Sequence, residues 1–327
     1  MKPVVLTMGD PAGIGPEILL RAFEQGVLEG CVVIADAAVM RRAGKLMTAV
    51  ISSPDDLGHV PAGCLPLMVP PGLPVGLEAL PLGVVDARNG AAAARCIEAA
   101  VQCLLKGQAS ALVTAPIHKE ALTAAGLSYP GHTEMLQALA APAGAMPPPV
   151  RMMVANPELR VVLVTIHMSL RKAIDAITFE TVLQTLRIAG AAGLGWGQQR
   201  PRIAVAGLNP HAGEGGQFGD EEIHIIAPAV AAARAEGLDV KGPFAPDTVF
   251  MRARRGEFDI VVAMTHDHGL IPVKYLGVEQ GVNVTLGLPF VRTSPDHVTA
   301  FDIAGRGLAD PSSLIAALQM ARRLSRR

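Results

Sequence analysis

Short runs of apolar or β-branched residues recur along the chain. They lie at Val4–Thr7, Val32–Ala35, Ala111–Thr114, Met152–Ala155, Val161–Thr165, Ile203–Gly207, Ile260–Ala263 and Val282–Leu286. Between them stand Ala- and Leu-rich segments with helical patterning, at Pro16–Gln25, Ala91–Lys106, Thr133–Ala141, Phe179–Gly190, Asp220–Glu236 and Pro311–Leu324. A strand that is apolar on both faces must be covered on both faces. Its alternation with helices predicts an α/β fold built on mainly parallel sheets with helices on either side.

Two stretches break the pattern. Residues 52–90 are rich in Pro and Gly and read as loops or sheet edges, and "APAGAMPPPV" (141–150) cannot hold a helix, because proline has no amide donor and clashes with the preceding turn. The polar residues that punctuate the chain fall at the carboxyl ends of the predicted strands. They are Gly9-Asp10, Thr114-Ala115-Pro116, His167, Asn209-Pro210-His211 and His266-Asp267-His268. Ligands of parallel α/β sheets collect at those ends.

Composition narrows the class. A chain of 327 residues suggests two domains or one large one, and at 50% hydrophobic and 17% charged it buries a large core with only 3% aromatics. The formal net charge of −1, without a basic patch or charged tail, argues against nucleic acid or an acidic membrane surface. The apolar runs are interrupted by Gly, Pro or charge and fall short of a membrane span. No secretory signal is apparent. Cys31, Cys64, Cys96 and Cys103 lack C-x-x-C spacing, which predicts buried thiols and a cytoplasmic protein.

The opening "GDPAGIGPE" crowds glycines and prolines between a strand and a helix, yet it fits neither G-x-G-x-x-G nor G-x-x-x-x-G-K-[ST]. Nine histidines are present, and His167, His211 and His266 each follow a predicted strand. Neutral imidazole is a common ligand for divalent ions, and three ligands plus an open position form a typical catalytic site. In "GLNPHAGEGGQFGDEE" the glycines let the backbone take positive φ and approach a ligand. Asp220 stands there as a candidate N-cap, with Glu221 and Glu222 complementing the helix dipole. His132 and Thr133 open a helix, with Thr133 a candidate N-cap and the helix amides suited to a phosphate or carboxylate. Lys274, Asn283 and Arg292 sit on an otherwise apolar segment and suit an anionic substrate. Asp247 in "FAPDTVF" has an apolar setting and reads equally as ligand, base or helix cap.

Taken together, "GDPAGIGPE", "TAPIHKEAL", "YPGHTE", "GLNPHAGEGG", "HDHGLIPVK", "GVNVTLGLPFVRTS" and "DHVTAFDIAGRG" span most of the chain. In this order they resemble the 4-hydroxythreonine-4-phosphate dehydrogenase family of pyridoxal phosphate biosynthesis. The first and last also resemble the wider isocitrate/isopropylmalate dehydrogenase fold. The resemblance implies a two-domain subunit, with 1–126 plus 287–327 carrying the first strand-to-helix turn and the cofactor loop. Residues 127–286 would then form the metal, substrate and dimerisation domain. It implies a homodimer with active sites at the interface and a divalent ion (Zn, Mg, Mn or Co) on His167, His211 and His266, the last from the partner subunit. It implies substrate contacts from His132, Thr133, Lys274, Asn283 and Arg292. In the mechanism this suggests, Asp247 or a water takes the hydroxyl proton, and Lys274 binds the anion or reprotonates the carbon. NAD, with NADP as the alternative, would contact Asp296, Thr299, Asp302 and Gly305. The implied reaction oxidises 4-phosphohydroxy-L-threonine with loss of carbon dioxide to 3-amino-2-oxopropyl phosphate. Relatives within the family oxidise erythronate or threonate 4-phosphate or an aromatic cis-dihydrodiol carboxylate, and non-redox acyl- or phosphotransferases share the fold. Two positions depart from the family pattern: His268 stands where Gln is usual, and Val298 where Gly is usual.

Overall fold

The computed structural model describes residues 2–129, 131–142, 144–193, 197, 200–277 and 281–325. The chain divides into two compact units. The first comprises Met1–Pro149 with Leu288–Ser325, and the second Val150–Gly287.

In the first unit the strands are β1 (Val4–Thr7), β2 (Cys31–Ile34), β3 (Thr48–Val50), β4 (Leu65–Met68), β5 (Ala111–Thr114) and β12 (Val291–Pro295). Their order is β3-β4-β2-β1-β5-β12, and every pairing is parallel. The helices are α1 (Gly15–Glu24), α2 (Ala37–Ala43), α3 (Ala87–Leu105), α4 (Lys119–Ala124), α5 (His132–Ala140) and α11 (Ser312–Leu324). Strands β1 and β5 are wholly buried, as a sheet with helices on both faces requires. Helix α3 starts at Asp86, whose carboxylate accepts from the Arg88 amide at 2.8 Å, and it buries an alanine-rich stripe.

The second unit holds β6 (Arg151–Ala155), β7 (Arg160–Leu163), β8 (Ile203–Ala206), β9 (Val240–Phe244), β10 (Ile260–Ala263) and β11 (Val282–Leu286). Their order is β11-β6-β7-β10-β8-β9. The pairings β11–β6 and β6–β7 are antiparallel, and the rest are parallel. Its helices are α6 (Leu170–Ala176), α7 (Phe179–Ala192), α8 (Ala227–Ala235), α9 (Val249–Arg254) and α10 (His266–Tyr275). Its core gathers Val161, Leu163, Val249, Phe258, Val261 and Leu270.

The α/β class and the largely parallel sheets are as the pattern predicts, and the differences are local. Strand β4 lies inside the Pro- and Gly-rich stretch 52–90, where Pro66 masks it. Strand β9 carries Gly242-Pro243, which an edge position tolerates. Strand β12 is hidden by its own buried Arg292, Thr293 and Ser294. The single helix expected over Asp220–Glu236 is a π-helical turn, Glu222–Ile226, running into α8. Pro228 has no amide hydrogen to give to the His224 carbonyl, so the regular ladder is interrupted there. The unit boundary also differs from the one expected near residue 126. Helix α5 packs on α3 through its turn, with Met135 and Leu136 fully buried, and this joins it to the first unit.

Candidate active site

In the second unit, β7, β10 and β8 are neighbours in that order, all parallel, and a histidine follows each carboxyl end. His167 follows β7, His266 opens α10 after β10, and His211 lies in the loop after β8. The His167 and His266 rings face each other with centroids 5.7 Å apart and planes inclined by 47°. His266 thus reaches His167 within one chain, because their strands are adjacent. The His211 ring stands 6.1 Å from Phe218. Among the described residues no three His, Cys, Asp or Glu side chains already form a metal-binding group. The Asp267 carboxylate lies 2.8 Å from His266 Nδ1, and since a carboxylate only accepts, Nδ1 carries a proton towards it, which leaves Nε2 as the nitrogen that could serve as a ligand.

His167 (φ 44°) and His211 (φ 53°) are both in the left-handed region. With Ala212, Glu214 and Ala300 they are the non-glycine residues at positive φ among those described. Such residues cost about 1 kcal/mol or more each and cluster where function demands them. All of them lie in loops whose sequence points to ligand binding.

Glu222 is the residue that the sequence underrates. Its carboxylate is buried and accepts from the amides of Leu208 and Asn209 at 2.7 and 2.8 Å and from Asn209 Nδ2 at 2.9 Å. Asp220 does not cap the helix: the turn begins at Glu221 without a side-chain cap. Asp247 is exposed in the turn before α9 rather than in an apolar setting, since the neighbouring Val249 takes the buried place. Lys274 lies in the last turn of α10 and Asn283 on β11, both half-buried. His268, half-buried on α10, has a solvent-excluded Nδ1 without a hydrogen-bond partner.

In the first unit the stretch "GDPAGIGPE" is a cradle for the loop after β12. The Ile14 amide donates to the Thr299 carbonyl at 3.0 Å, and the Gly305 amide to Glu17 Oε2 at 3.2 Å. Arg21 holds the Gly307 carbonyl. A Cβ on Gly13 would stand 2.9 Å from the Thr299 carbonyl oxygen, and one on Gly15 would stand 2.0 Å from that of Met8. The glycines therefore serve close backbone approach, which explains spacing that fits no phosphate loop. Beside this contact opens a cavity of about 440 Å³ lined by Pro11, Gly13, Glu17, Arg21, Arg42 and Gly305. Asp296 and Asp302 lie on the same loop, the Asp296 amide 3.4 Å from Ser313 Oγ. Phe301 stacks on His118 with centroids 4.7 Å apart. Val298 is 76% exposed, and the strained residue of the loop is Ala300, so the backbone at 298 does not require glycine.

At the carboxyl end of β5, Arg292 is 3% exposed and donates to Thr114 Oγ1 at 2.7 Å. Burial lowers its guanidinium to about 10, which leaves it charged at neutral pH. His132 is the first residue of α5, with Nε2 enclosed and without a partner. Burial first, and then the Arg292 charge, hold its pKa well below the usual histidine value, so the ring is neutral. Thr133 is not the N-cap: Gly131 occupies that place without a side-chain bond, and Thr133 is the second helical residue. Nearby on the same strand ends, Asp10 Oδ1 accepts from the Ala12 amide at 2.8 Å while Oδ2 is buried without a partner. Desolvation raises the Asp10 carboxyl to about 6. The buried Asn89 amide on α3 has neither of its polar atoms hydrogen-bonded, and no sequence signal marks it.

A 4-hydroxythreonine-4-phosphate dehydrogenase of Beijerinckia indica is 52% identical over 98% of this chain and 95% of its own length. A D-threonate 4-phosphate dehydrogenase of Pectobacterium atrosepticum is 44% identical over 99% of both chains. The crystal structure of a 4-hydroxythreonine-4-phosphate dehydrogenase from Klebsiella pneumoniae superposes with a TM-score of 0.89 at 42% identity, covering 100% of this chain and 98% of the other. The family model described as pyridoxal phosphate biosynthetic protein PdxA matches residues 28–321, and the chain belongs to that family.

Proposed function

We propose that the chain is an NAD-dependent, metal-assisted dehydrogenase that oxidises 4-phosphohydroxy-L-threonine. The substrate gives up a hydride and a proton, then carbon dioxide, and leaves 3-amino-2-oxopropyl phosphate. The observation that carries the reading is the set of three histidines at adjacent parallel strand ends, two of them ring to ring and two in strained backbone. Imidazoles presented in this way fit a divalent ion, with His266 Nε2 set as a ligand by Asp267. The glycine-lined cradle under residues 296–307 and the cavity beside it fit a dinucleotide, with Asp296, Thr299, Asp302 and Gly305 as its contacts. When bound, the ion supplies a Lewis acid beside the substrate hydroxyl and NAD supplies a hydride acceptor.

The chain's own residues do the rest. Arg292, buried and charged, binds the anionic part of the substrate, and neutral His132 and Thr133 at the start of α5 add donors. Asn283 orients the substrate, and Asp247 and Lys274 carry protons to and from it. We further propose a homodimer. Exposed apolar residues on α6 (Leu170, Ile174), just before it (Met168) and on α10 (Ile271, Tyr275) support it, since each helix follows one of two adjacent strands. The free thiols, three of them buried, support a reducing cytoplasm.

The test is NADH formation from 4-phosphohydroxy-L-threonine, before and after chelation and with His211→Ala. We expect turnover that chelation abolishes and a divalent ion restores, and a His211→Ala protein that folds but neither holds metal nor turns over. Undiminished turnover in metal-stripped protein would refute the reading. The threonate 4-phosphate relative favours a second reading, in which a hydroxyl replaces the substrate amine. D-threonate 4-phosphate in the same assay decides between them by the ratio of kcat/KM values.

A further inference from the structure

The loop that presents His211 is held in a conformation that its own residues do not favour. From His211 to Gly215 five consecutive residues have positive φ (53°, 54°, 79°, 44° and 68°), and His211, Ala212 and Glu214 have side chains that resist it. Each of those three costs about 1 kcal/mol or more. The bonds that tie the run to its flanks include Ala212 N to Asn209 O at 3.1 Å, Phe218 N to Gly213 O at 3.1 Å and the weaker Gln217 N to Glu214 O at 3.4 Å.

The anchor comes from the next element. Glu222 is 3% exposed, a burial that a carboxylate sustains only with several donors. All the hydrogen bonds found for it lead to the same place: Oε1 takes the Leu208 and Asn209 amides, and Oε2 takes Asn209 Nδ2. Leu208 and Asn209 are the residues between β8 and the strained run. Asn209 Nδ2 is shared with Glu221 Oε2 at 2.6 Å, so the chain two residues before His211 is gripped from both sides. Glu222 begins the π-helical turn, and such turns recur at functional sites, where the extra residue re-aims a side chain.

We propose that Glu222 is a positioning residue that fixes His211 as a donor for the divalent ion without touching ion or substrate. The inference rests on the metal reading above. It implies that part of the affinity for the ion is set by a carboxylate of the next element. Removing a group that orients a ligand typically weakens metal binding 10- to 100-fold.

The experiment titrates metal-stripped full-length protein with Zn²⁺ by calorimetry, and records the visible spectrum of the Co²⁺-loaded protein. It compares the wild type with Glu222→Ala, Glu222→Gln and His211→Ala. We expect Glu222→Ala to weaken Zn²⁺ binding by about 10- to 100-fold and to change the Co²⁺ spectrum. Glu222→Gln, which keeps an oxygen for the two amides, should fall between Glu222→Ala and the wild type. KM for NAD should not move, because the cofactor loop belongs to the other unit. If Glu222→Ala does not fold, Glu222→Gln decides: a several-fold loss supports the proposal, and wild-type affinity with an unchanged spectrum overturns it. Equal Zn²⁺ binding by the wild type and His211→Ala would mean that His211 is no ligand, and this inference would fall together with the metal reading. Loss of binding in His211→Ala but not in the Glu222 variants would sink this inference alone.

Discussion

Asp10 shows what one buried group does to pH dependence. Desolvation lifts its carboxyl from 3.8 to about 6, against the Ala12 amide and His118, which both pull it down. A raised carboxyl costs nothing while it is protonated in both states, below about pH 4. The cost builds between about pH 4 and 6, where the unfolded chain ionises and the folded chain stays protonated, and it is fully present above 6. Asp10→Asn keeps the acceptor for Ala12 and removes the charge. Urea unfolding should therefore find the variant equal to wild type at pH 4 and more stable at pH 8, by a shift worth roughly 2–3 kcal/mol. A difference that does not change with pH would mean that Asp10 ionises freely. At this scale the sequence was informative about residue type and silent about surroundings. His167 and His211 drew notice as histidines after strands, and the glycines beyond His211 allow positive φ, yet nothing in the sequence shows that the histidines themselves take it. Asp247 looked enclosed by apolar neighbours and is exposed, because burial depends on which face of the turn meets the core.

Elements explain why the loops can carry strain. Helix α7 begins with a capping box in which Thr178 Oγ1 accepts from the Thr181 amide at 3.2 Å and Thr181 Oγ1 from the Thr178 amide at 2.9 Å. Thr178→Ala should lower unfolding free energy by about 1 kcal/mol, read as a lower denaturant midpoint with unchanged slope. Unchanged stability would show the cap to be redundant. Strands β1, β5, β10 and β11 have the bounds their apolar runs predict, because a strand covered on both faces leaves an unmistakable pattern. Strand β12 escaped notice for the opposite reason. It buries Arg292, Thr293 and Ser294, and a segment with three buried polar side chains does not look apolar. The short helix α10 is missing from the predicted helices because its first turn is the polar His266-Asp267-His268 and Pro272 stands inside it.

At the level of the whole molecule, the features that support the proposed chemistry are divided between the units: a glycine-lined cradle and a buried arginine in one, the histidine-bearing strand ends in the other. If the exposed apolar residues of α6 and α10 meet a second copy, light scattering should give about twice the 34.0 kDa chain mass at micromolar concentration. Ile271→Glu, which places a charge on a 65% exposed apolar side chain, should shift the protein toward monomer. A monomeric wild type would remove the homodimer. The sequence by itself determined the α/β class, the largely parallel sheets and the family, since these follow from apolar periodicity and from short motifs in fixed order. Only tertiary structure decided the rest. Adjacency of β7, β10 and β8 brings His167 to His266, close approach makes a cradle of the opening glycines, and a glutamate from the next element grips the chain before His211. Those are contacts between residues far apart along the chain, and a linear pattern holds no record of which strand ends become neighbours.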